Sequence, residues 1–314
     1  MKKQNNIEEN NMILNPKFTT LLFLLTLTFG FSQSKDVEVK KLEINNKLDH
    51  FAARVVKDKI YFSSNLVTKR GRPILDKYAQ QLFGIYEGVA DEDGEIKDAK
   101  LITRPEVGMS NMSVATYSKD GKFMYFTSNH TIKGENKLQD KNTFNLLIQR
   151  AEYVEGKGWT NFTTLPFCEP DFNFAHPALS PDGLTLYFIA DIKGTKGKSD
   201  LYKVSVSNHE TYGEVTKLDE TINSSRTEIF PFISSDNKLY FSSNRRGGKG
   251  GIDIYSYDLE SSDAEQKPVS LDKPINSIGD DFSFFLNDDL TTGYLSSRRL
   301  RGEGGDDLYY FSKF

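Results

Sequence analysis

The segment Leu239-Tyr240-Phe241-Ser242-Ser243-Asn244 has four close counterparts elsewhere in the chain. The tyrosine at its second position recurs at intervals of 53 to 64 residues, which exceeds one hairpin and fits a four-stranded unit with loops of variable length. This regularity predicts a repeat protein with five units. The other four copies are Ile60–Asn65, Met124–Asn129, Leu186–Asp191 and Gly293–Arg298.

The residues around the third copy show how one unit is built. Ala178-Leu179-Ser180 leads into Pro181-Asp182-Gly183, and the strand Thr185–Ile189 follows. An Asp-Gly pair between apolar runs is a hairpin signal, because both residues accept the left-handed backbone of a tight turn. A loop rich in glycine and lysine then leads to Asp200–Val204, and Val215–Leu218 predicts a fourth strand. Because β-branched and aromatic residues fill these strands and helical periodicity is absent, each unit is predicted to be a four-stranded antiparallel blade.

The two ends of the chain complete the predicted ring. The fifth copy reaches Leu308-Tyr309-Tyr310-Phe311 without an outer strand, whereas Val37–Ile44 alternates apolar and polar residues and belongs to no blade. We expect this N-terminal segment to pair with the fifth blade and cover its exposed edge. The sequence therefore predicts an all-β fold in one domain over residues 33–314: a five-bladed β-propeller of four-stranded antiparallel blades, closed by an N-terminal strand. The predicted blades are residues 50–106, 110–168, 172–223, 226–276 and 279–314.

The first residues of the chain predict export. Leu21–Phe29 is apolar, Lys17 precedes it, and Gly30-Phe31-Ser32-Gln33 places small residues where a signal peptidase cleaves. The run is too short to span a bilayer, so residues 1–32 are predicted to be a signal peptide, with a start at Met12 giving a more usual leader. A buried hydrophobic helix is the alternative. Since no later stretch is long and apolar enough for a membrane helix, the expected location is the periplasm or the outer membrane, including the cell surface.

The composition excludes several classes of protein. Forty lysines and arginines stand against 44 aspartates and glutamates, and the net charge of −4 argues against a general nucleic-acid binder. Cys168 is the single cysteine, so an internal disulfide is impossible. No cysteine lies at the predicted mature start, so a lipoprotein anchor is not expected.

Two groups of residues resemble a known repeat. Ser180-Pro181-Asp182-Gly183 before a Leu-Tyr-Phe strand, and Phe241–Arg245 followed by Gly250–Tyr255, resemble the WD-like β-propeller repeats of TolB-type proteins of the Bacteroidota cell envelope. The resemblance covers nearly the whole predicted mature chain, and the third to fifth copies are nearest to the motif. It implies a propeller in the cell envelope and a family associated mainly with protein binding.

Charged residues gather in two sets of loops that a propeller places on one face. The loops after the second strand of a blade are basic, and the loops that enter the next blade are acidic. We expect a cationic ring around an anionic mouth, which would steer a charged partner, unless these charges pair with one another. The predicted binding residues are Arg245, Arg246, Lys249, Arg298, Arg299, Arg301, Asp171, Glu228, Asp280 and Asp281, and the same loops contain Lys193, Lys196, Lys198 and Glu169.

The sequence predicts no catalytic residue, metal ligand or cofactor. Asp200, Asp253 and Asp307 recur at the start of the third strand of different blades, so we expect them to form hydrogen bonds within the blades. Gly197-Lys198-Ser199 resembles part of a phosphate loop, but the glycine that the motif requires five residues earlier is missing. His176 has no second histidine at ligand spacing and is expected to pack or to line the channel.

Two functions remain open at this point. The first is an exported, non-enzymatic scaffold that binds envelope proteins, for example as an accessory component of a secretion, motility or assembly machine. The second is a glycan-binding or glycoside-hydrolase-like propeller that uses carboxylates at the channel mouth. That chemistry would need Asp171, Glu228 and Asp281, with two of them about 5–10 Å apart.

Overall fold

The computed structural model describes residues 36–75, 79–102, 111–129 and 145–314. The predicted signal peptide, residues 1–32, lies outside these residues. The described residues form 21 β-strands and no helix, and therefore contain no helix that could span a membrane.

The strands follow one another in blade order. Strand β1 (Glu38–Lys41) precedes blade 1, which contains β2 (His50–Val56), β3 (Lys59–Asn65), β4 (Phe83–Ala90) and β5 (Ile96–Leu101). Blade 2 contains β6 (Met112–Tyr117), β7 (Phe123–Ser128), β8 (Leu147–Val154) and β9 (Gly158–Thr164). Blade 3 contains β10 (Phe174–Leu179), β11 (Thr185–Ala190), β12 (Asp200–Ser207) and the short strands β13 (Thr211–Tyr212) and β14 (Thr216–Lys217). Blade 4 contains β15 (Glu228–Ile233), β16 (Lys238–Ser243), β17 (Asp253–Asp258) and β18 (Val269–Ser270). Blade 5 contains β19 (Asp281–Leu286), β20 (Gly293–Ser297) and β21 (Asp307–Ser312).

Strand β1 supplies the outer strand of blade 5. It pairs antiparallel with β21, with Glu38 opposite Ser312 and Lys41 opposite Tyr309. The innermost strands β2, β6, β10, β15 and β19 each contact the next one, and β19 contacts β2, so the ring is closed. The structure confirms the predicted five-bladed antiparallel propeller and its closure by the N-terminal segment.

The Tyr-Phe pair of the first four repeats joins a blade to both of its neighbours, and the fifth repeat has Tyr294-Leu295 at these positions. Successive residues of a strand point to opposite faces, so Tyr61 packs in one cluster with Met124 of blade 2, whereas Phe62 packs with Tyr294 of blade 5. Each large apolar side chain buried in this way contributes about 1.5–3 kcal/mol. The tyrosines that pack against the following blade in the same manner are Tyr125, Tyr187 and Tyr240.

The first turns of blades 2, 3 and 4 use the predicted turn chemistry. Gly121 and Gly183 have φ angles of 69° and 76°, in the left-handed region that glycine enters without steric cost. Asn237 takes the same position in blade 4 with a φ angle of 57°. In the third blade Asp182 Oδ1 accepts a hydrogen bond from Leu184 N–H at 2.9 Å, which fixes the turn.

An irregular residue in each innermost strand connects neighbouring blades. Ala52 and Val114 have φ angles of 58° and 47°, and their N–H groups point out of their own sheets. Ala52 N–H donates to Ser296 Oγ of blade 5 at 3.0 Å, and Val114 N–H donates to Ser63 Oγ of blade 1 at 2.9 Å. A buried N–H needs such a partner, so the hydroxyl at the fourth position of the repeat has a structural role. The corresponding residues of blades 3 to 5 are His176, Phe230 and Ser283.

Candidate functional site

The ring has two faces with different connections. The loop face carries the loops between second and third strands and the segments that enter the next blade, whereas the turn face carries the tight turns. Glu228 N–H donates to Ser199 O at 3.1 Å, and Asp281 N–H donates to Ile252 O at 2.8 Å. Each of these bonds joins an entering segment to the end of a basic loop. The two sets of charged loops therefore lie together on the loop face.

Glu228 and Arg245 form an ion pair beneath the loop face. The carboxylate is fully buried, and its Oε1 atom accepts hydrogen bonds from Arg245 Nη2 and Ser243 Oγ, both at 3.0 Å. Arg245 also donates to Ile222 O, and its guanidinium carbon lies 4.8 Å from the centroid of the Phe241 ring. Because both charges are desolvated and paired, they hold the loop of blade 4 in one geometry.

Asp281 and Arg299 repeat this arrangement in blade 5. Asp281 Oδ1 accepts hydrogen bonds from Arg299 Nη2 and Ser297 Oγ, both at 2.6 Å. Arg299 Nη2 also donates to Ile275 O at 2.6 Å, and its guanidinium carbon lies 4.8 Å from the centroid of the Tyr309 ring. Four of the predicted binding residues are thus parts of two structural ion pairs. Two carboxylates of the expected anionic mouth lie inside the blades, and the two arginines turn inward to pair with them.

Two of the three carboxylates that the hydrolase alternative requires are enclosed in the blades. Glu228 and Asp281 have no exposed surface, and each is satisfied by its own arginine. Asp171 is exposed in the loop before β10. Within the described ranges, no three His, Cys, Asp or Glu side chains lie close enough to hold a metal ion.

The aspartates at the start of the third strands have the hydrogen-bonding role that the repeat predicted. Asp200 accepts hydrogen bonds from the backbone N–H groups of Lys196 and Gly197 at 2.8 and 3.2 Å. The loop before each strand is therefore folded around one carboxylate. The equivalent bonds run from Lys249 and Gly250 to Asp253, and from Glu303 and Gly304 to Asp307.

Three other predicted cations of the loop face are paired at the surface. The two lysine pairs are exposed and contribute about 0–1 kcal/mol each, whereas Asp306 beside Arg298 is buried. The pairs are Arg298 with Asp306 and with Asp280 (3.8 Å), Lys249 with Asp272 (3.2 Å) and Lys196 with Glu220 (2.7 Å).

The remaining described basic residues of the loops between second and third strands are exposed and form no ion pair with a described residue. Four of them come from the predicted loops, and three come from the loop between β3 and β4 of blade 1, which sequence reasoning missed. They follow the first copy of the repeat, as the predicted basic residues follow the third to fifth copies, and this signal would have found them. We refer to the group as the loop-face cations: Lys69, Arg70, Arg72, Lys193, Lys198, Arg246 and Arg301.

A cavity of about 290 Å³ opens on the turn face. All five innermost strands contribute to its wall, so it lies at the axis of the ring. Its most unusual residue is Arg54, which is only 5% exposed and whose guanidinium carbon lies 5.5 Å from the ring centroids of Phe232 and Phe285. Burial lowers the pKa of Arg54 to about 10. The wall residues from the five strands include Arg54, Thr116, Leu179, Phe232 and Phe285.

Several solved structures share this fold. A protein of Agrobacterium tumefaciens assigned as TolB has a TM-score of 0.50 and 11% identity, over 88% of this chain and 90% of that one. A protein of unknown function from Dyadobacter fermentans has a TM-score of 0.51 and 12% identity, over 88% and 99%. The β-1,2-mannobiose phosphorylase of Listeria innocua, in complex with β-1,2-mannobiose, has a TM-score of 0.52 and 8% identity, over 87% and 96%. No protein-family model and no curated protein matches the chain in sequence.

The fold and these comparisons define the class of this protein as a five-bladed β-propeller. Within that class its architecture is TolB-like, and it is shared with a carbohydrate-active enzyme. Because the identities are so low, the likeness concerns the fold alone.

Proposed function

We propose that this propeller is an exported, non-enzymatic binding protein of the periplasm or the outer membrane, which captures an envelope protein on its loop face. The observation that supports it best is the set of loop-face cations. Seven exposed basic side chains from four blades surround one face and have no acidic partner among the described residues. A cationic surface of this kind attracts an acidic partner and speeds its association.

The buried ion pairs beneath this face support the proposal. Arg246 directly follows Arg245, and Arg301 lies two residues after Arg299. Because Arg245 and Arg299 are fixed by buried carboxylates, the exposed cations beside them project from anchored loops. Binding residues placed on loops that a rigid scaffold positions are typical of protein-recognition domains.

The carboxylates also favour binding over hydrolysis. A retaining or inverting glycosidase needs two carboxyl groups that reach the sugar from a cleft. Glu228 and Asp281 are instead enclosed and hydrogen-bonded to serine and arginine. The recognition of an envelope protein is also what the TolB-type resemblance of the repeats implies.

A charge-reversal experiment tests the proposed surface. The variant Lys193→Glu, Arg246→Glu, Arg301→Glu changes three exposed cations of the loop face, and the matched control Lys122→Glu, Lys157→Glu, Lys267→Glu changes three exposed lysines of the turn face. Arg245 and Arg299 are left unchanged, because a carboxylate in their place would lie beside Glu228 or Asp281. Both variants are expected to keep the circular dichroism spectrum of the wild type.

The readout is affinity capture from the native envelope fraction, quantified by mass spectrometry. We expect the wild type and the turn-face control to retain the same protein, and the loop-face variant to retain about tenfold less of it, since rim charges govern association. Equal capture by the two variants would contradict the proposed surface. The intact mass of the protein recovered from the envelope tests export separately: it is expected to begin at Gln33, and a retained N-terminus would contradict export.

A further inference from the structure

Arg54 is a buried cation without a counterion. Its side chain pairs with no carboxylate of the described residues, and its hydrogen bond to Ala53 O, 2.8 Å from Nη1, is the only one it forms there. A guanidinium has five N–H donors, and buried charges in proteins are almost always paired. The other N–H groups of the Arg54 guanidinium border the cavity of the turn face. This is the arrangement expected of an anion-binding site.

The neighbouring titratable groups leave this positive charge uncompensated. Burial, and secondarily the charge of Arg54, lowers the pKa of His176 to about 3, so the imidazole is neutral at physiological pH. Burial also raises the pKa of Tyr117 well above its ordinary value, so its hydroxyl keeps its proton. That hydroxyl is buried without a hydrogen-bond partner in the described part of the chain, and Tyr117 lines the same cavity. Neither residue therefore neutralises the charge of Arg54.

The walls of the cavity indicate which other properties a bound anion should have. Phe232, Phe285 and Leu179 are apolar, and the rim carries the exposed residues Lys57, Lys119 and Asp288. A single buried positive charge balances one negative charge, whereas a phosphate dianion would bring a second charge into apolar surroundings at a high desolvation cost. The cavity therefore suits a monoanion attached to an apolar body.

We propose that this cavity binds a carboxylate with an apolar body. The carboxylate accepts hydrogen bonds from the Arg54 guanidinium, and the apolar part packs against Phe232 and Phe285. A free organic acid and the carboxy-terminus of a peptide share this chemistry. The site lies on the face opposite the loop-face cations, so it does not depend on the proposed capture of a protein there.

Calorimetric titration of the purified protein tests the site with matched probes. 3-Phenylpropionate carries the predicted carboxylate, and 3-phenylpropionamide has the same shape without the charge. We expect the acid to bind at least about tenfold more tightly than the amide, because a hydrogen bond between two charged groups is stronger than one to a neutral amide. Acetyl-alanyl-phenylalanine and its C-terminal amide form the second pair, and tighter binding of this peptide acid than of 3-phenylpropionate identifies a chain terminus as the source.

Variants of Arg54 link the binding to the cavity. Arg54→Met removes the charge and fills a similar volume, and we expect its affinity for the acid to be at least about tenfold lower than that of the wild type. The affinity of Arg54→Lys for the acid should lie between those of the wild type and Arg54→Met. Lys119→Met at the rim is the control and should change affinity less than about threefold. Equal binding of acid and amide by the wild type, or unchanged acid binding by Arg54→Met, would overturn the proposal. If Arg54→Met does not fold, the comparison of acid and amide binding by the wild type and by Arg54→Lys tests whether Arg54 binds the carboxylate.

Discussion

At the scale of single residues, Arg245 and Arg246 show how differently two adjacent arginines are used. The side chain of Arg245 is only 12% exposed and is paired with Glu228, whereas Arg246 is exposed on the loop face. Both follow the same strand and belong to the same glycine-rich loop. The difference arises because the Arg245 side chain turns back under the loop toward a buried carboxylate.

Alanine substitution should separate these two roles. Arg245→Ala leaves the Glu228 carboxylate buried without its cation, and we expect a loss of about 3 kcal/mol in the free energy of unfolding. Arg246→Ala, one residue further, should stay within about 0.5 kcal/mol of the wild type. Urea denaturation of the two variants measures the difference. Equal stabilities would show that the ion pair is not structural.

His50 occupies in blade 1 the position that Glu228 occupies in blade 4. It is 5% exposed, and neither ring nitrogen has a hydrogen-bond partner among the described residues. Burial lowers the pKa of His50 to about 4. Between about pH 6.5 and pH 4 the unfolded chain therefore binds a proton that the folded chain does not, so stability decreases as the pH falls through this window.

The variant His50→Phe should weaken this pH dependence. The ring shape is kept, and the proton uptake of the unfolded state at this position is removed. Relative to the wild type, we expect the variant to gain up to about 3 kcal/mol in unfolding free energy between pH 7 and pH 4, because each pKa unit corresponds to about 1.4 kcal/mol. Urea midpoints over this pH range provide the measurement. Parallel pH profiles of the two proteins would be inconsistent with a buried neutral His50.

At the scale of elements, a single asparagine completes the closure of the ring. Asn45 follows β1; its Nδ2 group donates to Leu308 O at 2.7 Å, and its Oδ1 atom accepts from Leu308 N–H at 2.8 Å. Asn223 and Asn276 form the same two bonds with Leu201 and Ile254 in blades 3 and 4. The N-terminal segment thus provides blade 5 with both its outer strand and its asparagine.

Substitution of Asn45 tests this closure without removing the strand. Asn45→Ala leaves the N–H and C=O groups of Leu308 without these partners, so we expect a loss of about 2 kcal/mol. The neighbouring Asn46 is exposed, and Asn46→Ala should cost less than about 1 kcal/mol. Thermal unfolding of both variants provides the comparison. If Asn45→Ala loses no more stability than Asn46→Ala, the ring is closed by the β1–β21 pairing alone.

The serine at the fourth repeat position provides a second test between elements. Ser296 Oγ accepts the hydrogen bond from Ala52 N–H of the next blade, whereas the equivalent Ser242 Oγ is buried without a partner among the described residues. We expect Ser296→Ala to lose about 1–2 kcal/mol of stability and Ser242→Ala to lose almost none. Chemical denaturation distinguishes them. A larger stability loss for Ser242→Ala than for Ser296→Ala would disprove the role of the Ser296 hydroxyl in joining neighbouring blades.

The elements of this fold were largely predictable, because their signals are local and repeated. The Tyr-Phe strands and Asp-Gly turns indicated the blades, and the alternation over Val37–Ile44 indicated the closing strand. The structural role of Asn45 was not predicted, although an isoleucine precedes the asparagine at each of positions 45, 223 and 276. The inward direction of Arg245 and Arg299 was not predictable, because exposure of a loop arginine depends on a carboxylate from a distant segment.

At the scale of the whole molecule, the two faces carry different candidate sites. The loop face presents exposed cations supported by buried ion pairs, and the turn face opens into the cavity that contains Arg54. That cavity was not predictable from the sequence, because it exists only where five strands, from residue 54 to residue 286, meet at one axis. The basic loops of the other face were predictable, since each follows a copy of the repeat.

The proposed binding face is tested most directly by the association rate of the captured partner with the immobilised propeller, measured at low and at high salt. If the loop-face cations steer the partner, the wild type and the turn-face control Lys122→Glu, Lys157→Glu, Lys267→Glu should associate fast at low salt and slow markedly as salt is raised. The loop-face variant Lys193→Glu, Arg246→Glu, Arg301→Glu should associate at least about tenfold more slowly at low salt, with little dependence on salt. Association of that variant at the wild-type rate, with the same salt dependence, would contradict the proposed binding face.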